Sequence, residues 1–238
     1  MKRDYFCLDG RSSLEYGVWL TGEHTEDSPE RDVESCPVPG RSGELILDKG
    51  RWKDTTLTYP CAIAGDFLSR FSAFKTFLLA KRGMRRLEDS FHPEEFRLVC
   101  LTGGITPSVT PHYGGGSFEV SLRCKPQRYL KSGEYPVRFT QSGGLLYNPT
   151  GYPALPLLKI FGTEGVLTIG QAVLTFTEID EWVELDSDTQ EAAKLLANKN
   201  STVVAKDDLY PCLEAGENRI SWTGGITAVE ITPRWWRL

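Results

Sequence analysis

The sequence predicts a mainly β protein with two domains, and three observations carry that prediction. Glycine and proline are frequent, 23 and 14 of 238 residues, and they cut the chain into short apolar runs of strand length. The best of these runs alternate apolar and polar residues, as a half-buried antiparallel strand requires. Only one long stretch carries a clear helical period.

The strands come first. Phe96–Leu101 and Ser117–Cys124 are strong candidates; in the second, Phe118, Val120, Leu122 and Cys124 alternate with Glu119, Ser121 and Arg123. The helix is expected over 66–82, with Asp66 as its cap and Gly83 at its end. Phe67, Phe71, Phe74 and Leu78 then share one face, Leu68 lies at its edge, and Ser69, Ser72 and Thr76 lie opposite. Lys81, Arg82, Arg85 and Arg86 read as cations gathered at the helix C-terminus, where the dipole favours them.

Composition changes near Lys131–Glu134, which places a boundary between a domain over 1–132 and one over 133–238. In the second part, Pro153, Pro156, Gly162, Gly165 and Gly170 separate Leu157–Phe161, Val166–Ile169 and Ala172–Phe176, the spacing of hairpins in a β-sandwich or jelly roll. Trp182–Leu185 reads as strand. A short second helix is expected over Thr189–Asn198, where Glu191 to Leu196 favour helix. Thr-Gly-Gly-Ile-Thr occurs at 102–106 and again at 223–227, and both copies read as turns using glycine for positive φ. Gly114–Gly116 reads as a loop tip. Trp235 and Trp236, close after the alternating run Ala228–Thr232, suggest a last strand pinned into a core or an interface.

Function classes are narrowed mainly by what is missing. The formal net charge is −5 and no basic stripe is visible, which argues against a nucleic-acid reader. No stretch approaches the ~20 apolar residues that span a bilayer, and no signal-peptide core follows the N-terminus, so synthesis and folding in a cytosol are expected. The six cysteines (7, 36, 61, 100, 124 and 212) stand singly without a C-x-x-C pair, so reduced thiols are expected rather than zinc or a redox motif.

Walker, dinucleotide-binding, nucleophile-elbow and H-E-x-x-H patterns are all missing, so no catalytic, metal or cofactor residue is named and the chain is read as no enzyme. His24, His92 and His112 lie far apart in loop-like surroundings. The densest acidic stretch runs from Glu178 to Asp188. Along a strand, Glu184, Asp186 and Asp188 would form a solvated face, with a cation site as the lesser alternative.

Several segments, in order, resemble the distal tail protein family of long-tailed bacteriophages and prophages. They are Phe6–Gly10 with Tyr16–Val18; Val38–Leu45 with Gly50 and Trp52; His92–Arg97; Cys124–Leu130; Asn148–Pro149; and Pro211–Ile220 leading to Ile231–Trp236. Together they span nearly the whole chain. The resemblance implies an N-terminal β-barrel or sandwich-like domain with one helix and a hairpin arm, followed by a galectin-like β-sandwich. It implies a homo-hexameric ring, with rings stacked in pairs as a further expectation, located in the virion tail and assembled in the host cytoplasm. Such a ring joins the tail tube protein to a tail-associated baseplate or fibre protein and leaves a channel through which DNA passes, with no membrane partner. By position, Val38, Gly40, Arg41, Leu45 and Trp52 fall in the family's arm region and are the candidate inter-subunit contacts. Two other readings remain open: a lectin-like carbohydrate-binding module, which fold alone does not establish, and a cell-wall hydrolase, against which stands the missing catalytic grouping.

Overall fold

Alternation along Ser117–Cys124 organises the first half. In the computed structural model, which describes residues 3–22, 25–110 and 114–238, this run lies within a strand from Gly115 to Leu130. Phe118, Val120, Leu122 and Cys124 are buried, while Glu119, Ser121 and Arg123 face outward. The chain divides into two compact units, Met1–Arg128 with Leu238, and Tyr129–Arg237.

The first unit holds β1 (Phe6–Leu8), β2 (Arg11–Ser12), β3 (Val18–Leu20), β4 (Thr25–Glu26), β5 (Arg31–Pro37), β6 (Glu44–Trp52), β7 (Thr55–Ile63), α1 (Phe67–Leu79), β8 (Arg85–Asp89), β9 (Glu95–Cys100), β10 (Ser108–Thr110) and β11 (Gly115–Leu130). Its main sheet runs β2-β1-β8-β9-β11-β7-β3, with β4 also on β7 and β10 on β11. The expected aromatic face of α1 is the buried one: Phe67, Phe71, Phe74 and Leu78 join the same core as Phe6, Tyr59, Val120 and Leu122. Phe71 meets the Phe118 ring edge-on at 5.0 Å, an arrangement that adds specificity to area burial.

Both expected ends of the helix need correction. Asp66 is left-handed (φ 43°) and its carboxylate makes no cap bond; its carbonyl accepts from the Arg70 N–H instead. The helix stops at Leu79 with Ala80 following, so Gly83 (φ 81°) belongs to the next turn. Arg85 and Arg86 are strand residues rather than helical ones. Arg85 still serves the helix end through space, donating from Nη1 to the Phe77 and Leu78 carbonyls at 3.1 Å each and from Nε to Asp9 at 2.9 Å.

The second unit holds β12 (Val137–Phe139), β13 (Gly144–Asn148), β14 (Leu157–Ile169), β15 (Ala172–Phe176), β16 (Glu181–Asp186), β17 (Glu191–Lys194), β18 (Ala197–Asn198), β19 (Val203–Ala205), β20 (Gly216–Thr232) and β21 (Trp236–Arg237). Its sheet order is β12-β20-β14-β16-β17-β18, with β13 on β20, β15 on β14 and β19 on β15.

Gly170 separates β14 from β15 as expected, but Gly162 and Gly165 lie inside β14, which pairs along its length with β20. Register between β14 and β20 shifts on both sides of Gly162. A side chain at Gly162 or Gly165 would strike the Gly225 or Thr223 carbonyl oxygen, so only glycine permits the bulge. On one side of it, Leu157–Gly162 pair with β16; on the other, Gly165–Ile169 pair with β15. One strand pair thereby serves both halves of a sandwich, and Leu158, Ile160, Leu167, Ile169, Ile220 and Val229 meet in one core.

The repeated pentapeptide divides accordingly. Thr102–Thr106 links β9 to β10, whereas 223–227 lies within β20, and of their four glycines only Gly224 has positive φ. Gly115 and Gly116 are also in a strand rather than a loop tip. A Cβ on Gly116 would meet the Phe67 ring at 2.5 Å, so the missing side chain makes room for the helix. The second helix is absent as well: 191–198 forms the tight hairpin β17–β18, because Lys194 pairs with Ala197 and leaves a two-residue turn. Trp235 is buried in the second core, and its carbonyl accepts from the Leu130 N–H at 2.9 Å.

Candidate functional site

The Val38–Trp52 region forms the turn and second strand of a hairpin, β5–β6, that is a two-stranded sheet of its own. β5 and β6 pair only with each other. Its register sets Val33 against Asp48, Glu34 against Leu47, Ser35 against Ile46, Cys36 against Leu45, and Pro37 against Glu44. Paired residues share a face, so Val33 and Ile46 lie on one side and Cys36, Leu45 and Leu47 on the other.

An uninterrupted apolar run in a strand ordinarily means burial on both faces. Here Leu45, Ile46 and Leu47 are all exposed, Ile46 at 63%, together with Val33 and Val38. Exposed apolar residues on both faces of one hairpin make it a candidate interaction surface.

Polar chemistry holds the arm in shape. Cross-strand ion pairs run down it: Lys49–Glu34 at 3.5 Å, Arg31–Asp48 at 3.8 Å, Arg51–Asp32 at 2.6 Å and Lys53–Glu30 at 3.5 Å. The Arg51 guanidinium bonded to Asp32 holds that carboxyl below its ordinary range. Exposed pairs of this kind are individually weak and act mainly on register. At the root the ladder bulges between Arg31 and Val33, and the Arg31 guanidinium lies 4.1 Å over the Trp52 ring.

Of the candidate contacts, Val38, Gly40 (φ 76°) and Arg41 form the tip, Leu45 lies mid-arm, and Trp52 is at the root. They occupy one element without converging on one spot. Beside Trp52 opens a groove of about 540 Å³, whose walls include Arg51, Lys53, Thr55, Thr102 and Arg123. Sequence reasoning missed Val33, Ile46 and Leu47. The signal for two of them was there, in the break of alternation at Leu45-Ile46-Leu47 between charged flanks.

The strand that precedes the arm, β4, is tied to the main sheet by ion pairs. Glu26, on β4, is bonded to buried Arg97 and lies 3.5 Å from Arg128, which in turn is 3.6 Å from buried Glu95. Burial pushes the Glu26 carboxyl up, but the Arg97 bond and the two guanidinium charges outweigh it and hold it low.

Of the histidines, His92 donates its backbone N–H to Asp89, with Nδ1 3.4 Å from the same carboxylate; His24 and His112 lie outside the described residues. Among the described residues no group of three His, Cys, Asp or Glu could hold a metal ion. In the acidic stretch, Asp186 is not simply solvated: Arg234 grips it with two bonds, at 2.8 and 2.7 Å. Among the described residues no helix is long and apolar enough to cross a membrane.

A sugar-binding face needs an open aromatic ring. In the second unit Lys159 Nζ sits 3.9 Å over Trp182, and Trp236 stacks on Tyr152 at 4.8 Å. Trp222 packs against the core and Trp235 is inside it, whereas Tyr135 and Tyr147 of the same unit are exposed.

No protein-family model and no curated protein matches the chain. Solved structures do. The crystal structure of Dit (gp 19.1) of phage SPP1, a paradigm of the hub adsorption apparatus in phages infecting Gram-positive hosts, aligns at TM-score 0.79 and 14% identity over 100% of both chains. Chains from the phage P2 baseplate in its activated conformation, with Ca and with Sr, align at 0.48 and 0.46 with 11% identity, covering 97–99% of this chain and 98% of theirs. From end to end, the chain has the fold of SPP1 Dit.

Proposed function

We propose that the protein is a structural component of a phage tail tip or baseplate hub. Copies form a hexameric ring that joins the tail tube to a tail-associated or fibre protein and leaves a channel for DNA. The observation that carries this reading is the arm: a hairpin apolar on both faces, projecting from a chain whose fold matches a hub protein over its full length. In a closed ring each copy meets its neighbour through two different patches. The arm, with the groove beside Trp52, supplies candidate contacts for one of them. The acidic balance suits a channel that DNA crosses without being held.

The test is assembly. Electron microscopy and light scattering at roughly tens of micromolar should show six-membered rings, single or stacked in pairs. Leu45→Asp and Trp52→Ala should abolish them while each chain stays folded by circular dichroism.

A lectin-like reading would have to rest on exposed Tyr135 and Tyr147, since the tryptophans of the second unit are largely covered; under the hub reading, titration with cell-wall polysaccharide should give no saturable binding. Roles in the virion tail, with assembly in the host cytoplasm and adhesion left to a partner protein, follow from the hub reading.

A further inference from the structure

The arm continues the β4–β7 ladder, and both of its legs lose strand structure at the same level. Glu26 pairs with Leu57 on one side of the break and Arg31 with Trp52 on the other. Between these pairs, 27–30 and 53–54 belong to no strand. Two backbone bonds cross there, from the Asp27 N–H to the Thr56 carbonyl at 3.3 Å and from the Lys53 N–H to the Glu30 carbonyl at 2.9 Å.

Apolar packing does not reach the break. Of residues 25–54, all of them described, none enters the buried apolar core of the first unit. Open space adjoins it instead: clefts of about 540, 410 and 250 Å³ all border Thr55, the first residue of β7.

Charge holds what packing leaves loose. On the first leg, Glu26 is bonded to buried Arg97 and lies 3.5 Å from Arg128. On the second, Asp54 accepts from the Arg123 guanidinium at 2.7 Å. Beyond the break the arm is braced within itself, by the Arg51–Asp32 pair and by Arg31 over the Trp52 ring. A braced hairpin joined to a packed sheet through two short irregular segments has the construction of a hinge.

We propose that β5–β6 pivots as one body about 27–30 and 53–54, and that the Glu26–Arg97 and Asp54–Arg123 ion pairs latch it in the observed position. The pivot carries the exposed run Leu45–Leu47, so the latch sets the direction in which that run is offered. Salt weakens exposed ion pairs most, so the Asp54–Arg123 latch yields first as ionic strength rises. The device belongs to a single copy and does not rest on the hub reading; a chain that never forms rings would still show it.

Single-molecule energy transfer reads the pivot directly. Donor and acceptor are attached through p-azidophenylalanine at exposed Ser42, on the arm tip, and exposed Lys75, on α1. The full-length chain is held at sub-nanomolar concentration so that copies stay apart. One narrow population is expected at about 0.05 M salt, and it should broaden or split at about 1 M. Asp54→Asn should produce the same change at low salt, with the circular dichroism of the chain unaltered, and Glu26→Gln should add to it. One unchanged narrow population across the salt series and in Asp54→Asn overturns the proposal, as does a population already broad at low salt. An equal change in Glu230→Gln, which removes an ion pair with Arg138 from the second unit, also overturns it. Because Glu26→Gln takes a carboxylate from buried Arg97, Asp54→Asn and the salt series carry the test.

Discussion

A methyl group added at Gly162 would sit 2.2 Å from the Gly225 carbonyl oxygen, and the residue's φ of 147° is closed to ordinary side chains. Gly162→Ala should therefore cost the second unit about 2–4 kcal/mol, read as a fall in its calorimetric transition, with the first unit unaffected. Acid sensitivity is also a matter of single residues. At Asp9, burial pushes the carboxyl up, but bonds from Lys81, Arg85 and the Arg86 N–H hold it below its ordinary value. Glu26 is held low by Arg97, and Asp186 by Arg234. A carboxyl depressed in the folded state adds stability above its unfolded pKa, near 4, and loses it as pH falls through the lower folded value. Denaturant titrations should thus show stability level near neutrality and falling below about pH 4, with Glu26→Gln flattening that limb. The thiols sort in the same way. Burial pushes Cys61 and Cys124 up to about 12, so a thiol reagent at pH 8 should modify partly exposed Cys7, Cys36 and Cys100 well before either.

Elements show how much the sequence displayed and where it misled. The period of α1 and the alternation of β11 were legible because each has a single buried face. The ends of α1 were not, because its C-terminus is served by Arg85 from a neighbouring strand, a partner that local pattern cannot reveal. Removing that partner with Arg85→Ala should cost about 2 kcal/mol, discounted for the partial exposure of Asp9, and shift the thermal transition downward. Helix propensity over 191–196 lost to strand pairing with β16. The long β14–β20 pair was read as separate hairpins because a glycine at a bulge and one at a turn look alike in one dimension. Position alone put the candidate contacts on the arm, but the exposed apolar run Leu45–Leu47 gives the arm its character, and it is visible as broken alternation.

On the scale of the whole molecule, two small β units each have their own core, and among the exposed apolar residues they leave are those of the arm, Leu45–Leu47, and the turn Leu195–Leu196. These exposed apolar residues are what the proposed hub role would cover with neighbouring copies or partners. The central claim is that the proposed ring forms through the arm. Its most direct measurement is the mass of the purified chain by light scattering at roughly tens of micromolar, run beside Leu45→Asp. Six copies for the unaltered chain and a smaller, folded species for Leu45→Asp is the predicted result; a monomer in both would contradict it.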